Sequence, residues 1–127
     1  MSAYETFASV YDLFMEQVEY DEWLDHIHAV WKKYGITPKT ILDLGCGTGE
    51  MMKRILRQKG DKSLYGIDLS EKMLEVAREK LGNEVNLVLG DSENLPFSDN
   101  FFDVVYCNDS FHHYPLPDKV LSEVCRV

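Results

Sequence analysis

The chain has 127 residues, of which 45% are hydrophobic and 12% aromatic, and its formal net charge is −9 at pH 7. This length fits one domain with a packed core, and the composition excludes an intrinsically disordered chain. The acidic balance, without a dense run of Lys and Arg, argues against nucleic acid as a partner and favours a small molecule. No apolar stretch is long enough to span a membrane, and the N-terminus lacks the pattern of a signal peptide, so we expect a cytoplasmic protein.

The first part of the chain has the apolar spacing of helices. The clearest helix is predicted from Tyr20 to Tyr34, with Asp21 at its N-cap and Gly35 as its stop. We interpret residues 1–36 as a helical cap that covers one face of a sheet.

From Thr40 onward, short apolar strands alternate with helices. Strands are predicted over 41–44, 64–67, 85–89 and 102–106, and helices over 50–58, 70–81 and 118–127. Ser70 is the expected N-cap of the second of these helices and Gly82 its stop. Alternating strands and helices predict βαβ crossovers, and strands that are apolar throughout are typical of a parallel sheet buried on both faces. The predicted fold class is α/β, a doubly wound Rossmann-like parallel sheet in residues 37–127.

A glycine-rich turn links the first strand to its helix, where backbone can approach a ligand closely. Its glycines are Gly45, Gly47 and Gly49, and Glu50 stands where the dinucleotide fingerprint has its third glycine. A carboxylate there would repel a pyrophosphate at the helix N-terminus but would tolerate a ligand with a sulfonium and an ammonium group. The spacing therefore disfavours an NAD-type oxidoreductase.

The pattern Asp43-x-Gly45-x-Gly47-x-Gly49 resembles the first motif of class I S-adenosylmethionine-dependent methyltransferases. Further segments of that family's small-molecule branch follow in the same order. They are Asp68 at the end of the second strand, Gly90-Asp91-Ser92 after the third, Leu95-Pro96-Phe97 before the fourth and Phe111-His112-His113 after it. Motifs at successive strand ends in the right order are far more specific than the glycine triplet alone.

The resemblance implies S-adenosylmethionine as cofactor and a role for each matching residue. Asp43 would help to order the ammonium end, Asp68 would accept hydrogen bonds from the ribose diol, and Leu69 would pack on the adenine. Asp91 would accept a hydrogen bond from the adenine amino group. The implied cofactor-binding residues are Tyr11, Asp43, Gly45, Cys46, Gly47, Gly49, Asp68, Leu69, Asp91, Ser92 and Asn108.

Two of these residues, Tyr11 and Asn108, lie outside the motifs quoted above. Tyr11 would close over the cofactor, as in relatives with a similar N-terminal helix, with core packing as the alternative. Asn108, with Cys107, follows the fourth strand and would supply a carbonyl or side chain near the methyl-sulfonium. No catalytic residue can be named, because methyl transfer from an activated sulfonium depends mainly on positioning and on the exclusion of water.

Other chemistries receive little support. Adjacent residues such as His112 and His113 point in different directions, so they do not predict a metal site, although a general-base role for one of them stays open beside loop packing. The three cysteines have no C-x-x-C spacing and predict neither a disulfide framework nor a zinc site. The segment 108–111 lacks the Asn/Asp-Pro-Pro-aromatic tetrad of base N-methyltransferases, which argues against a nucleic-acid base as substrate.

The family's sheet has seven strands, and the sequence predicts four. We therefore expect the N-terminal half of the methyltransferase fold, truncated after the fourth strand, with self-association through the open edge of that strand. Two functions remain: a methyltransferase acting on an unidentified small molecule, or a non-catalytic S-adenosylmethionine-binding fragment that lacks the substrate half.

Overall fold

Four short strands form one parallel sheet in the computed structural model, which describes residues 20–58, 60–107 and 114–127. The strands are β1 (Thr40–Leu44), β2 (Ser63–Asp68), β3 (Asn86–Leu89) and β4 (Val104–Cys107). The helices are α1 (Tyr20–Lys33), α2 (Glu50–Leu56), α3 (Glu71–Leu81) and α4 (Pro117–Arg126). The strand order is β3–β2–β1–β4, and each pair is parallel. The predicted fold class is confirmed.

Helices cover both faces of the sheet, because alternate residues of each strand point to opposite sides. On one face, Ile41 and Leu64 pack against α1, α2 and α3. On the other, Leu42, Leu44 and Ile67 pack against α4. The chain runs outward from β1 through β2 to β3 and then returns to place β4 on the other side of β1, which is the doubly wound arrangement.

The predicted ends of α3 are confirmed in detail. Ser70 Oγ accepts a hydrogen bond from the backbone N–H of Met73, 3.2 Å away, and so caps the helix. Gly82 ends it with a φ of 57°, a conformation that a side chain disfavours.

Two sequence predictions are corrected. Asp21 lies within the first turn of α1 instead of at its N-cap, where its carboxylate accepts a hydrogen bond from Arg54. The fourth strand begins at Val104 instead of Phe102, because the N–H of Phe102 bonds to the carbonyl of Val127 and not to a strand.

The described part of the predicted cap shares a buried core cluster with the sheet. Tyr20, Leu24 and Trp31 of α1 are buried in the same core cluster as Ile41 of β1. Residues 1–19 of the cap lie outside the described residues, and the domain boundary after residue 36 stays a prediction.

Among the described strands, β4 pairs with β1 alone, so its other side forms an edge of the described sheet. Self-association through this edge stays a prediction. Within the described residues, no helix combines the length and apolar character that a membrane span requires.

Candidate functional site

The carboxyl ends of β1 and β4 lie side by side at the point where the strand order reverses. Ligands of open α/β sheets bind in the crevice at such a switch point. The loop after β1 carries Gly45, Gly47 and Gly49, which have φ values of 70°, 57° and 83°. L-residues with side chains rarely adopt this left-handed region, so the glycines allow the tight path of the loop.

Four amide groups of this loop are engaged within the protein. Gly45 N–H and Cys46 N–H both donate to the carbonyl of Ile67, at 2.9 and 3.0 Å, and Gly49 N–H donates to the carbonyl of Cys46. Gly47 N–H donates to Asp68 Oδ2 at 2.9 Å. A pyrophosphate site needs backbone donors that point at the ligand, and these four are committed elsewhere.

Asp68 joins three of the predicted motifs. Besides the bond from Gly47, its Oδ1 accepts the N–H of Ser70 at 2.8 Å, and its carbonyl accepts the N–H of Gly90 at 3.0 Å. Burial raises the pKa of Asp68, and hydrogen bonds from the backbone of Ser70, Gly47 and Leu69 oppose that rise. Each carboxylate oxygen can accept more than one hydrogen bond, so Asp68 keeps acceptor capacity at the end of β2.

Asp43 is buried in the middle of the site, with 3% of its surface exposed. Tyr106 is its direct neighbour across the β1–β4 pairing, and the Tyr106 hydroxyl donates to Asp43 Oδ2 at 2.8 Å. Within the described residues, Asp43 Oδ1 is the one buried side-chain nitrogen or oxygen atom without a hydrogen-bond partner. Burial raises the pKa of Asp43 to about 7, the Tyr106 hydrogen bond opposes this, and the charge of Asp68 adds to it.

A small pocket lies beside Asp43. Its volume of about 20 Å³ can hold one water-sized or ammonium-sized group. The residues that line it come from α1, β1, the glycine loop and α2: Tyr20, Asp43, Gly45, Cys46, Thr48, Glu50 and Met51.

Glu50, the basis of the charge argument against a pyrophosphate, is paired with two cations. Its Oε2 lies 2.6 Å from Arg54 Nη1, and its Oε1 lies 2.7 Å from Lys80 Nζ. Burial alone would raise the pKa of Glu50, but the hydrogen bonds from Lys80 and Arg54 bring it below its usual value. Its charge is therefore largely neutralised, and the committed amide groups of the glycine loop are the stronger argument against a dinucleotide.

Two residues of the glycine motif face the protein interior. A Cβ on Gly49 would lie 2.7 Å from Leu81 Cδ1, so this glycine allows the loop to pack on α3. The Cys46 thiol is buried over Gly66, where a Cβ would lie 2.9 Å from the sulfur. Burial, with the charge of Asp43, raises the pKa of Cys46, so this thiol is not an activated nucleophile.

The predicted adenine-side residues lie at the ends of β2 and β3. Leu69 follows Asp68 directly, and 66% of its surface is exposed. An apolar side chain at this position is accessible to a ligand. Asp91 is exposed, and its Oδ1 accepts the N–H of Glu93. Ser92 is buried, and its hydroxyl bonds to the Tyr114 hydroxyl at 3.2 Å.

Tyr11, Asn108, His112 and His113 lie outside the described residues, so their assigned roles stay predictions. Sequence reasoning missed Tyr106 and Tyr20. In the sequence, Tyr106 is only one residue of an apolar strand. That it lies beside Asp43 follows from the register of β1 and β4, which the sequence does not reveal. Tyr20 lies at the start of a predicted helix, and nothing in the helical spacing marked it as lining a pocket.

Comparison with known proteins identifies the family. The model of a methyltransferase domain matches residues 42–127, from the middle of β1 to the end of the chain. The chain belongs to this methyltransferase family. The predicted recognition of a class I S-adenosylmethionine-dependent methyltransferase is confirmed, and S-adenosylmethionine is the cofactor of the family.

Individual relatives agree with this assignment. YqeM of Bacillus subtilis (strain 168), which is named as a methyltransferase, is 39% identical over 94% of this chain and 47% of its own length. The ubiquinone/menaquinone biosynthesis C-methyltransferase UbiE of Francisella tularensis subsp. tularensis (strain WY96-3418) is 30% identical over 98% of this chain and 52% of its own length. The chain thus spans about half the length of these curated relatives.

A solved structure supports the fold assignment. The plantazolicin methyltransferase BpumL, solved with SAH and a pentazolic desmethyl plantazolicin analogue, matches with a TM-score of 0.76 at 27% identity. The match covers 94% of this chain and 46% of BpumL.

Proposed function

We propose that this chain binds S-adenosylmethionine at the carboxyl ends of β1, β2 and β3 and forms the cofactor-binding part of a methyltransferase that acts on a small molecule. The observation that carries the proposal is that the site presents acceptors and few donors. Asp43 and Asp68 end neighbouring strands, while the glycine-loop amide groups are committed within the protein. A ligand that suits such a site must bring donors and positive charge.

S-adenosylmethionine has these groups. Its ammonium would bind near Asp43 Oδ1, the buried oxygen without a partner in the described residues. Its ribose hydroxyls would donate to Asp68, and its adenine would lie along Leu69 with its amino group toward Asp91. When bound, the cofactor supplies a methyl group already activated on a sulfonium, so the chain's own residues have to hold it and exclude water.

The proposed roles of the remaining residues follow from where they lie. Gly45 and Gly47 would let the methionine part approach the backbone, whereas Gly49 and Cys46 would shape the loop from behind. Ser92 would fix the segment after β3 through its bond to Tyr114. We name no catalytic side chain.

The substrate is proposed only as a class. UbiE is named for C-methylation in quinone biosynthesis and BpumL acts in plantazolicin methylation, and both names describe organic acceptors instead of nucleic acid. The net charge of −9 agrees with such an acceptor, because a polyanionic substrate would be repelled. A cytoplasmic location remains part of this proposal.

Isothermal titration calorimetry with S-adenosylhomocysteine and with NAD tests the cofactor proposal. We expect saturable binding of S-adenosylhomocysteine and none of NAD at matched concentrations. Binding of NAD, or no binding of S-adenosylhomocysteine, would contradict it. A screen of small acceptors with labelled S-adenosylmethionine then separates a methyltransferase from a cofactor-binding fragment without turnover.

A further inference from the structure

Tyr106 occupies a position that the function described so far does not use. It lies on β4, in register with Asp43 of β1, so their side chains point to the same face of the sheet. The two residues are 63 positions apart in the chain, and the hydroxyl of Tyr106 lies 2.8 Å from Asp43 Oδ2.

This hydrogen bond distinguishes the two oxygens of the Asp43 carboxylate. Oδ2 has the Tyr106 hydroxyl as its donor, whereas Oδ1 has no partner among the described residues and belongs to a side chain that lines the small pocket. A buried carboxylate oxygen without a donor is costly, and where native proteins retain one, a water, an ion or a ligand can supply the missing partner. The bond to Tyr106 also limits rotation of the carboxylate, because a swap of the two oxygens would break it.

We propose that Tyr106 is a positioning residue for the cofactor: it holds the Asp43 carboxylate by Oδ2 so that Oδ1 receives the ammonium group of S-adenosylmethionine in the pocket. This inference rests on the proposed function and adds to it the residue that orients the carboxylate. Tyr106 acts through Asp43 and does not itself contact the cofactor.

The surroundings of Asp43 determine how the site responds to pH. The ionisable groups that face it or line the same pocket come from every neighbouring element: Tyr20 of α1, Cys46 of the glycine loop, Glu50 of α2, Asp68 of β2 and Tyr106 of β4. Glu50 is neutralised by Arg54 and Lys80, and burial keeps the pKa values of Cys46 and Tyr106 above their usual range. Around neutral pH, Asp43 is therefore the group whose charge changes, under the influence of the Asp68 carboxylate.

The test compares Tyr106→Phe with Tyr65→Phe, each in the 127-residue chain. Tyr65 is the control, because it is a strand tyrosine of the same sheet but packs on the opposite face against Phe97 and Phe102. Two ligands are titrated by calorimetry. S-adenosylhomocysteine carries the ammonium group, and 5′-methylthioadenosine keeps the adenine, ribose and thioether but lacks the amino-acid part.

We expect Tyr106→Phe to weaken S-adenosylhomocysteine binding by about 10- to 100-fold, the range for loss of one hydrogen bond to a charged group. Binding of 5′-methylthioadenosine should stay within about twofold of the unmodified protein, since that ligand does not reach Asp43. Tyr65→Phe should change neither affinity. Affinity for S-adenosylhomocysteine should rise with pH as Asp43 ionises, and the midpoint of this rise should move to higher pH in Tyr106→Phe, because the hydrogen bond that favours the ionised carboxylate is gone.

Equal weakening of both ligands by Tyr106→Phe, with an unchanged pH midpoint, would show a merely structural role and overturn the inference. Unchanged S-adenosylhomocysteine affinity would also overturn it, while the proposed function would stand. If the unmodified chain binds neither ligand, the proposed function is wrong, and so is the role of Tyr106 in cofactor binding. In that case the pH dependence of the melting temperature still reports whether Tyr106 holds the Asp43 carboxylate.

Discussion

At the amino ends of the strands, Asp103 accepts hydrogen bonds from the backbone N–H groups of Lys39 and Thr40, whereas at the carboxyl ends Asp43 has a buried oxygen without a partner among the described residues. The same difference appears in the pKa values. The backbone hydrogen bonds lower the pKa of Asp103, while burial raises the pKa values of Asp43 and Asp68. At one end of the sheet a carboxylate binds the protein's own backbone, and at the other end one carboxylate oxygen of Asp43 has no partner among the described residues.

Arg126 is a second charged residue whose hydrogen bonds stabilise the amino end of the sheet. Its guanidinium donates to the carbonyls of Leu95 and Phe97 and to the carboxylates of Asp99 and Glu123. This side chain ties the segment before β4 to the end of α4 near the amino ends of the strands. Its hydrogen-bonding capacity is spent on the protein itself, as expected of a structural residue.

The largest effect that we expect comes from Asp68→Ala. Loss of the acceptor for both ribose hydroxyls should weaken S-adenosylhomocysteine binding by about 100-fold or more, measured by calorimetry. The same change at the opposite end, Asp103→Ala, should leave this affinity unchanged. If Asp68→Ala binds as tightly as the unmodified chain, the ribose assignment is wrong and the contrast between the two ends loses its functional meaning.

The second effect concerns Gly49, which lies in the glycine loop and faces Leu81 of α3. Gly49→Ala combines a left-handed backbone with a Cβ 2.7 Å from Leu81 Cδ1, and we expect it to lower the free energy of unfolding by about 2–3 kcal/mol in urea denaturation. Gly35→Ala is the control, because Gly35 also has a positive φ, 66°, but nothing within 4 Å of its Cβ position. That change should cost only about 1 kcal/mol of backbone strain. Equal losses would show that contact with Leu81 is unimportant.

At the closed end of the sheet, Arg126→Met should lower the melting temperature by roughly 5 °C, because the carbonyls of Leu95 and Phe97 lose their donor. Affinity for S-adenosylhomocysteine should not change. Arg78→Met, at an exposed position on α3, serves as the control and should melt close to the unmodified chain. A selective loss of ligand affinity in Arg126→Met would mean that the two ends of the sheet are coupled.

A last effect should be a change in the pH dependence of stability. Asp43 has a raised pKa of about 7 in the folded chain, against 3.8 as the ordinary value. At this side chain the folded state therefore binds more protons than the unfolded state between these values, so the contribution of Asp43 to stability without ligand is fully present below about pH 4 and is lost as pH rises through 7. Asp43→Asn should remove this contribution and flatten the decline in melting temperature between pH 5 and 7.5, by a few degrees. An unchanged slope would show that Asp43 is ionised throughout this range.

The sequence predicted the parallel sheet, the cap at Ser70 and the acidic residues at the ends of β1 and β2. These features depend on local periodicity, on turn chemistry and on the order of motifs along the chain. The contacts of Tyr106 and Glu50 could not be predicted in the same way. Tyr106 meets Asp43 through the register of two strands 63 residues apart, and Glu50 meets Lys80 across two helices. Both contacts depend on packing, which periodicity does not encode.

The contact between α1 and α2 beside the glycine loop includes an exposed ion pair, which we expect salt to weaken. Arg54 of α2 contacts Asp21, bonds to Glu50 and lies over the ring of Tyr20, which lines the pocket beside Asp43. The Asp21 side chain is 86% exposed, so salt screens its attraction to Arg54, whereas Asp43 is shielded by burial. Dissolved ions therefore weaken one contact beside the pocket, the Arg54–Asp21 pair, and scarcely affect the buried Asp43 carboxylate.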